Sequence, residues 1–245
     1  MAKVVFSPAA TAILRNGVRR GPPEPYGSRM ERFTGFIVGL GTSAGRRLVV
    51  GHWMDSPLGA FTDVMTEDRD GLRTLLAPNR AVADYVSATY RFDDVVVAPL
   101  DAGLSPAGER SAEPGNEPGT TALVLRVSGG PLELRADLGP VTALGRMLQL
   151  VPARIAVHPA WLTAVNRAAR ILLPGVATAG SAGGGRREYY GVRSIRSVER
   201  AAASWNGAGL GPLAPVDPPV RFGFSSVPRT PQAVAVTTTI LPARR

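Results

Sequence analysis

The stretch GHWMDSPLGAFTDVM, Gly51 to Met65, gathers one of the two histidines, one of the three tryptophans and two aspartates into what otherwise reads as strand and tight turn. Side chains alternate across a strand, so His52 and Met54 share one face of a first strand, and Phe61, Asp63 and Met65 share one face of the next. A carboxylate surrounded by Phe61, Met65 and Trp53 loses hydration, which raises its pKa and suits it to proton transfer. Asp63 and His52 are therefore candidate catalytic groups, with Trp53, Phe61 and Met65 as substrate contacts. The plain alternative has Asp63 exposed and His52 a satisfied core group.

A second concentration is RREYYG, Arg186 to Gly191. On a strand, Glu188 and Tyr190 face one way while Arg187 and Tyr189 face the other, so only half of the set can line a cavity. An arginine fork suits a carboxylate or enolate because it binds two oxygens at once, although a surface ion pair is the commoner use. Glu188 joins the catalytic candidates. Arg32, Arg187, Tyr189 and Tyr190 join the substrate-binding ones.

Three further motifs have simpler explanations. GTSAG at Gly41 to Gly45 matches the spacing of a nucleophile elbow, but another strand follows it where a helix is required, so it reads as a hairpin turn. The glycine tract of GSAGGGRRE could wrap an anion with backbone amides and Arg186 or Arg187, and otherwise is a flexible connection. His52 and His158 are too distant in sequence to make a usual zinc site without carboxylates brought in by the fold, and no metal is expected. His158 precedes Pro159 at the start of a predicted helix, where it reads as a cap.

The elements that must position these groups are mostly strands. Ser7 and Pro8 open a short predicted helix, which with its linker occupies residues 1–31 and packs on the main fold. From Arg32 onward, RFTGFIVGL, RRLVVGHWM, LGAFTDVMTED and LRTLLAP form a predicted β meander separated by turn residues. Asn79 caps a helix through AVADYVSATY, and a strand follows at Asp94 to Pro99. Asp101 to Thr120 lacks an apolar face and reads as a loop. TALVLRV and PLELRAD form a second hairpin around Gly129 and Gly130, while ALGRMLQLV and PAWLTAVNRAARILL have helical spacing. Strands are expected again at REYYGVRSIRSV, PPVRFGFSS and QAVAVTTTIL. The fold class is mainly β (α+β): a large antiparallel sheet of nine or ten strands curled into a barrel or cone, with two to four peripheral helices, forming one domain over residues 1–245.

Composition removes whole classes of chemistry. The 245 residues contain no cysteine, which excludes disulfides, thiolate nucleophiles and cysteine-ligated metal centres. Of the 28 basic residues, Lys3 alone is lysine, so no internal Schiff-base lysine, P-loop lysine or pyridoxal-phosphate anchor is available. The net charge of +9 comes from scattered arginines, as in residue usage shaped by a GC-rich genome. No nucleic-acid module accompanies them, and nucleic acid is not expected as a partner. With no secretion signal and no membrane-length apolar run, the expected compartment is the cytoplasm and no membrane partner is expected.

SPLGAFTDVM, read as small-Pro-x-Gly-x-aromatic-x-acid, resembles the P-x-G-P-Y-x-E hairpin of acetoacetate decarboxylase-like proteins, over about a tenth of the chain. The sequence also resembles uncharacterised actinobacterial proteins that carry versions of GHW-x-x-SP-x-G-x-F-x-DVM and, near the C-terminus, of PPVRFGF. The first resemblance implies a cone-shaped barrel and places Asp63 where the family has a hairpin glutamate lining the cavity. The family's imine-forming lysine has no counterpart, which argues against acetoacetate decarboxylation by that route. The resulting expectation is a lysine-independent enzyme of lyase, isomerase or cyclase type. It would act on a small or medium carbonyl-containing or polyketide-like molecule in secondary metabolism, by acid–base or conformational catalysis. No motif implies an organic cofactor. The competing expectation is a small-molecule-binding barrel without turnover; a homo-oligomer is compatible with either.

Overall fold

The computed structural model describes residues 29–106, 123–172, 177–181 and 183–243. The predicted N-terminal helix lies outside these residues. The chain first builds the expected meander, β1 (Glu31–Thr42), β2 (Arg47–Asp55), β3 (Phe61–Glu67) and β4 (Arg73–Ala77), each strand antiparallel to the one before it. The GTSAG segment is the β1–β2 turn, closed by the Thr42 N–H donating to the Arg46 carbonyl, with Gly45 at φ 84°. Helix α1 (Arg80–Ser87) begins where the Asn79 side chain accepts from the Val82 N–H, and it returns the chain to β5 (Asp94–Val97), parallel to β4 at the sheet edge.

Next come β6 (Asp101–Pro106), β7 (Leu123–Gly129) and β8 (Leu132–Val141), the last two joined at Gly129 and Gly130, both with positive φ. The expected loop at Asp101 to Thr120 is corrected in its first part, because residues 101–106 pair with β7. Helices α2 (Ala143–Gln149), α3 (Ala153–Ala156) and α4 (Pro159–Leu172) follow, and His158 Nδ1 accepts from the Ala160 N–H at the start of α4. After β9 (Ala179–Ser181), the long β10 (Arg187–Trp205) turns through β11 (Ala208–Gly209) and β12 (Leu213–Ala214). The C-terminal β13 (Gln232–Leu241) completes the sheet.

β13 inserts between β1 and β10 and joins the two meanders into one sheet, ordered β5-β4-β3-β2-β1-β13-β10-β8-β7-β6. The sheet curls into a half-barrel. One face of β1 to β4, with Leu40, Leu48, Val64 and Leu76, packs in a common core with Leu125, Leu132, Leu134 and Leu138 of the β7–β8 hairpin. The other face of β1 to β3, with β13 and the first half of β10, looks toward the helices.

PPVRFGFSS was expected as a strand, and here the structure differs: residues 218–226 make no ladder. Val220 and Phe222 are buried because the segment lies across the helix-side face of the sheet, so their alternation comes from packing on Val49 without strand pairing. The fully buried Glu67 holds the segment in place. Its Oε2 accepts from the Arg221 N–H (2.9 Å), and its Oε1 meets Arg221 Nη2 (3.0 Å) and Arg47 Nη2 (3.3 Å). No helix among the described residues is long and apolar enough to cross a membrane.

Candidate active-site cavity

The helix-side face of the sheet, α1, α2 to α4 and the 220–228 segment surround a cavity of about 550 Å³. Its wall is overwhelmingly apolar, with Phe33, Phe61, Trp161 and Val236 among its contributors. Two carboxyl groups interrupt that wall.

The first is Asp63. In the β2–β3 register Gly51 pairs with Asp63, His52 with Thr62 and Trp53 with Phe61. Alternation therefore puts Gly51, Trp53, Phe61, Asp63 and Met65 on the cavity face. The Trp53 indole N–H donates to Asp63 Oδ1 at 3.0 Å. Burial pushes the Asp63 carboxyl up to about 7, against the smaller opposing effects of that bond and of its own backbone N–H. Gly51 makes the arrangement possible, since a methyl there would lie 2.6 Å from Asp63 Oδ1 and 2.7 Å from Trp53 Nε1.

The second is Glu188. The Tyr90 hydroxyl donates to Glu188 Oε1 at 2.6 Å, so the 3.0 Å contact between the two phenols has Tyr190 donating to the Tyr90 oxygen. Burial raises the Glu188 carboxyl to about 7, and the two tyrosines and Arg186 oppose that rise. Burial and the neighbouring carboxylate hold both phenols well above their ordinary value, so they remain donors. Glu188 Oε2 has no hydrogen-bond partner, and neither does Thr238 Oγ1. Thr238 pairs with Tyr190 in the β10–β13 ladder and Glu188 with Ile240, so Glu188 and Thr238 are diagonal neighbours on the cavity face.

No family model, curated protein or solved structure matches this chain.

Of the residues expected at the site, Asp63, Glu188, Trp53, Phe61, Met65 and Tyr190 line the cavity. Four do not, and alternation is the reason in each case. His52 is on the opposite face of β2, sharing a 2.8 Å hydrogen bond with the Thr62 hydroxyl, and burial lowers its pKa. Arg32 is exposed on the outer face of β1. Arg187 is exposed on the outer face of β10, and its guanidinium stands 5.8 Å from the Tyr189 ring centroid. Tyr189 is buried on that same outer side, paired with Thr239 and Ala179. These corrections leave the cavity without an arginine wall.

Arg186, considered above for anion binding, is buried and donates to the Gly183 and Ala88 carbonyls and to the Thr89 hydroxyl. It holds the glycine tract against the end of α1. Among the described residues no group of three or more His, Cys, Asp or Glu could hold a metal ion. Sequence reasoning missed Tyr90 and Thr238 as site residues. Tyr90 closes AVADYVSATY at helical spacing with Val82 and Val86 and so reads as an apolar position, and Thr238 lies in a strand whose alternation carries no chemical signal.

Proposed function

We propose that this protein is an enzyme that moves a proton on a hydrophobic, carbonyl-containing small molecule held in the half-barrel cavity, in a reaction of lyase, isomerase or cyclase type. The observation that carries this reading is Asp63, a carboxyl buried in an apolar cavity and pushed up to about 7. Near that value a carboxyl is available as both base and acid at neutral pH. Trp53 holds Oδ1, which leaves Oδ2 to exchange the proton. The Tyr190–Tyr90–Glu188 chain is a second polar pole that orients the molecule, and the apolar wall selects its shape.

The resemblance to acetoacetate decarboxylase-like proteins belongs to this proposal, with Asp63 in the role of the hairpin acid. An imine step does not, because the family's imine-forming lysine has no counterpart at the matching positions of this sequence, whose single lysine is Lys3.

Hydrogen–deuterium exchange tests the reading. The protein is incubated in D₂O with 1-tetralone, and deuterium at the carbon next to the carbonyl is followed by NMR. Acceleration over buffer is expected, falling to the buffer rate in Asp63→Asn while binding persists. Binding without exchange in the wild type, between pH 6 and 9, would instead support a non-catalytic binding barrel. The near absence of polar groups from the wall favours that second reading.

A further inference from the structure

The chemistry of the cavity restricts the charge of what it holds. Its described lining residues include Asp63 and Glu188 but no arginine or lysine. The nearest guanidinium to influence Glu188, that of Arg186, directs its Nε and Nη2 to the Gly183 and Ala88 carbonyls and the Thr89 hydroxyl, and it forms no ion pair with Glu188. An anionic ligand would meet two acids, and the one cation that acts on either, Arg186 beside Glu188, lies outside the lining with its donors committed elsewhere. A buried carboxylate is stable only when paired and hydrogen-bonded, and no side chain of the cavity supplies a cation for either acid.

Two of the three open valences among the described side chains belong to cavity-lining residues at one pole, the third being Thr239 Oγ1 on the outer face of β13. Glu188 Oε2 and Thr238 Oγ1 are buried acceptors with no partner, and both belong to residues on the cavity face of adjacent strands. Around them stand the rings of Tyr90 and Tyr190, the latter stacked on Phe224 with centroids 5.6 Å apart. Carboxylate, hydroxyl and aromatic faces are the groups that recognise an ammonium ion.

We propose that the Glu188 pole is a cation site and that the cavity takes a hydrophobic amine, whose ammonium donates to Glu188 Oε2 and Thr238 Oγ1 against the Tyr90 and Tyr190 rings. This rests on the cavity being a small-molecule site, though not on turnover. It divides the cavity into a recognition pole at Glu188 and a proton-transfer pole at Asp63. A substrate carrying both a basic nitrogen and a carbonyl would engage both.

The test is calorimetric titration of the full chain at pH 7.5 with three probes on one skeleton: 2-naphthylmethylamine, 2-naphthalenemethanol and 2-naphthoate. The amine is expected to bind at least about tenfold more tightly than the alcohol, because an ammonium adds an opposite charge to a hydrogen bond that the alcohol could donate only as a neutral group, and the carboxylate most weakly. Glu188→Gln is expected to bring the amine down to the affinity of the alcohol and to leave the alcohol within about threefold of its wild-type value. An alcohol that binds the wild type as tightly as the amine overturns the proposal while leaving the small-molecule reading of the cavity intact. Equal loss of amine and alcohol affinity in Glu188→Gln does the same. Failure of all three probes to bind overturns the small-molecule reading and the proposal with it. The wild-type ranking decides by itself if the variant does not fold.

Discussion

Asp63→Asn should make the protein more resistant to alkaline conditions while disabling the site. An acid whose folded-state pKa exceeds its unfolded value binds its proton more tightly when folded. Its contribution to stability is fully present below the unfolded value, near 4, and is lost as pH rises through the folded value, near 7. Raising Asp63 from 3.8 to about 7 corresponds to about 4 kcal/mol at roughly 1.4 kcal/mol per pH unit. The wild-type chain should therefore lose about that much from Asp63 between pH 4 and pH 8, and Asn, which does not titrate, should lose none of it. Urea unfolding followed by tryptophan fluorescence and far-UV circular dichroism at pH 4, 5, 6, 7 and 8 measures the difference. Other titrating groups cancel in the comparison of the two proteins. The variant is expected to gain on the wild type steadily through the window, and the gain should level off above about pH 7. Parallel stability profiles would refute the reasoning, since they would mean that Asp63 titrates alike in the folded and unfolded chains.

Glu188→Gln should show the same sign over pH 4.5 to 7 with a smaller amplitude of about 3 kcal/mol, read by the same unfolding series. Gly51→Ala must separate Trp53 from Asp63, since the new methyl would overlap both. A loss of about 1–3 kcal/mol in urea unfolding and a shifted tryptophan emission are expected. Glu67→Ala leaves the buried Arg47 without its carboxylate and releases Arg221, and with it the cavity-spanning segment, from β3. Thermal and urea unfolding should show a loss of about 3–5 kcal/mol. His52→Ala removes one hydrogen bond on the face away from the cavity. It should cost about 1 kcal/mol in unfolding experiments and leave tetralone exchange unchanged.

Period-2 alternation was the most informative signal in the sequence. It separates Arg187 from Glu188 and groups Asp63 with Phe61 and Met65, because strand geometry alone fixes which neighbours along one strand share a face; that His52 lies on the face away from Asp63 follows only from the β2–β3 register. It could not say which face of β2 would match which face of β10, since that depends on how the sheet curls and on register over long separations. The arginines expected at the cavity were misplaced for this reason. Parity is also broken within β10 itself: Val192 pairs with Val236 but Ser194 with Ala235, so the extra residue Arg193 bulges. Ile195 consequently faces the cavity, as Glu188, Tyr190 and Val192 do. The 218–226 segment shows the opposite limit, in which burial of Val220 and Phe222 against the sheet at Val49 imitates a strand pattern without a ladder.

The two carboxyl poles share a construction rule that neither motif shows in isolation. Asp63 is paired across its ladder with Gly51, and Glu188 with Gly180. At Gly51 the missing side chain makes room for the Trp53 indole to reach the carboxyl. At Gly180 it admits the ring of Phe224, which stacks on Tyr190 and thereby backs the phenol next to Glu188. Each acid thus stands opposite a position where any Cβ would displace the aromatic group that shapes its surroundings. Those aromatic groups keep water from the carboxyls and so sustain the desolvation that raises both toward neutrality. The protonation of the two acids is in this sense set on the strands adjoining them: a glycine on the neighbouring strand, an aromatic ring in the space it leaves, and a carboxyl held where burial disfavours its charged form.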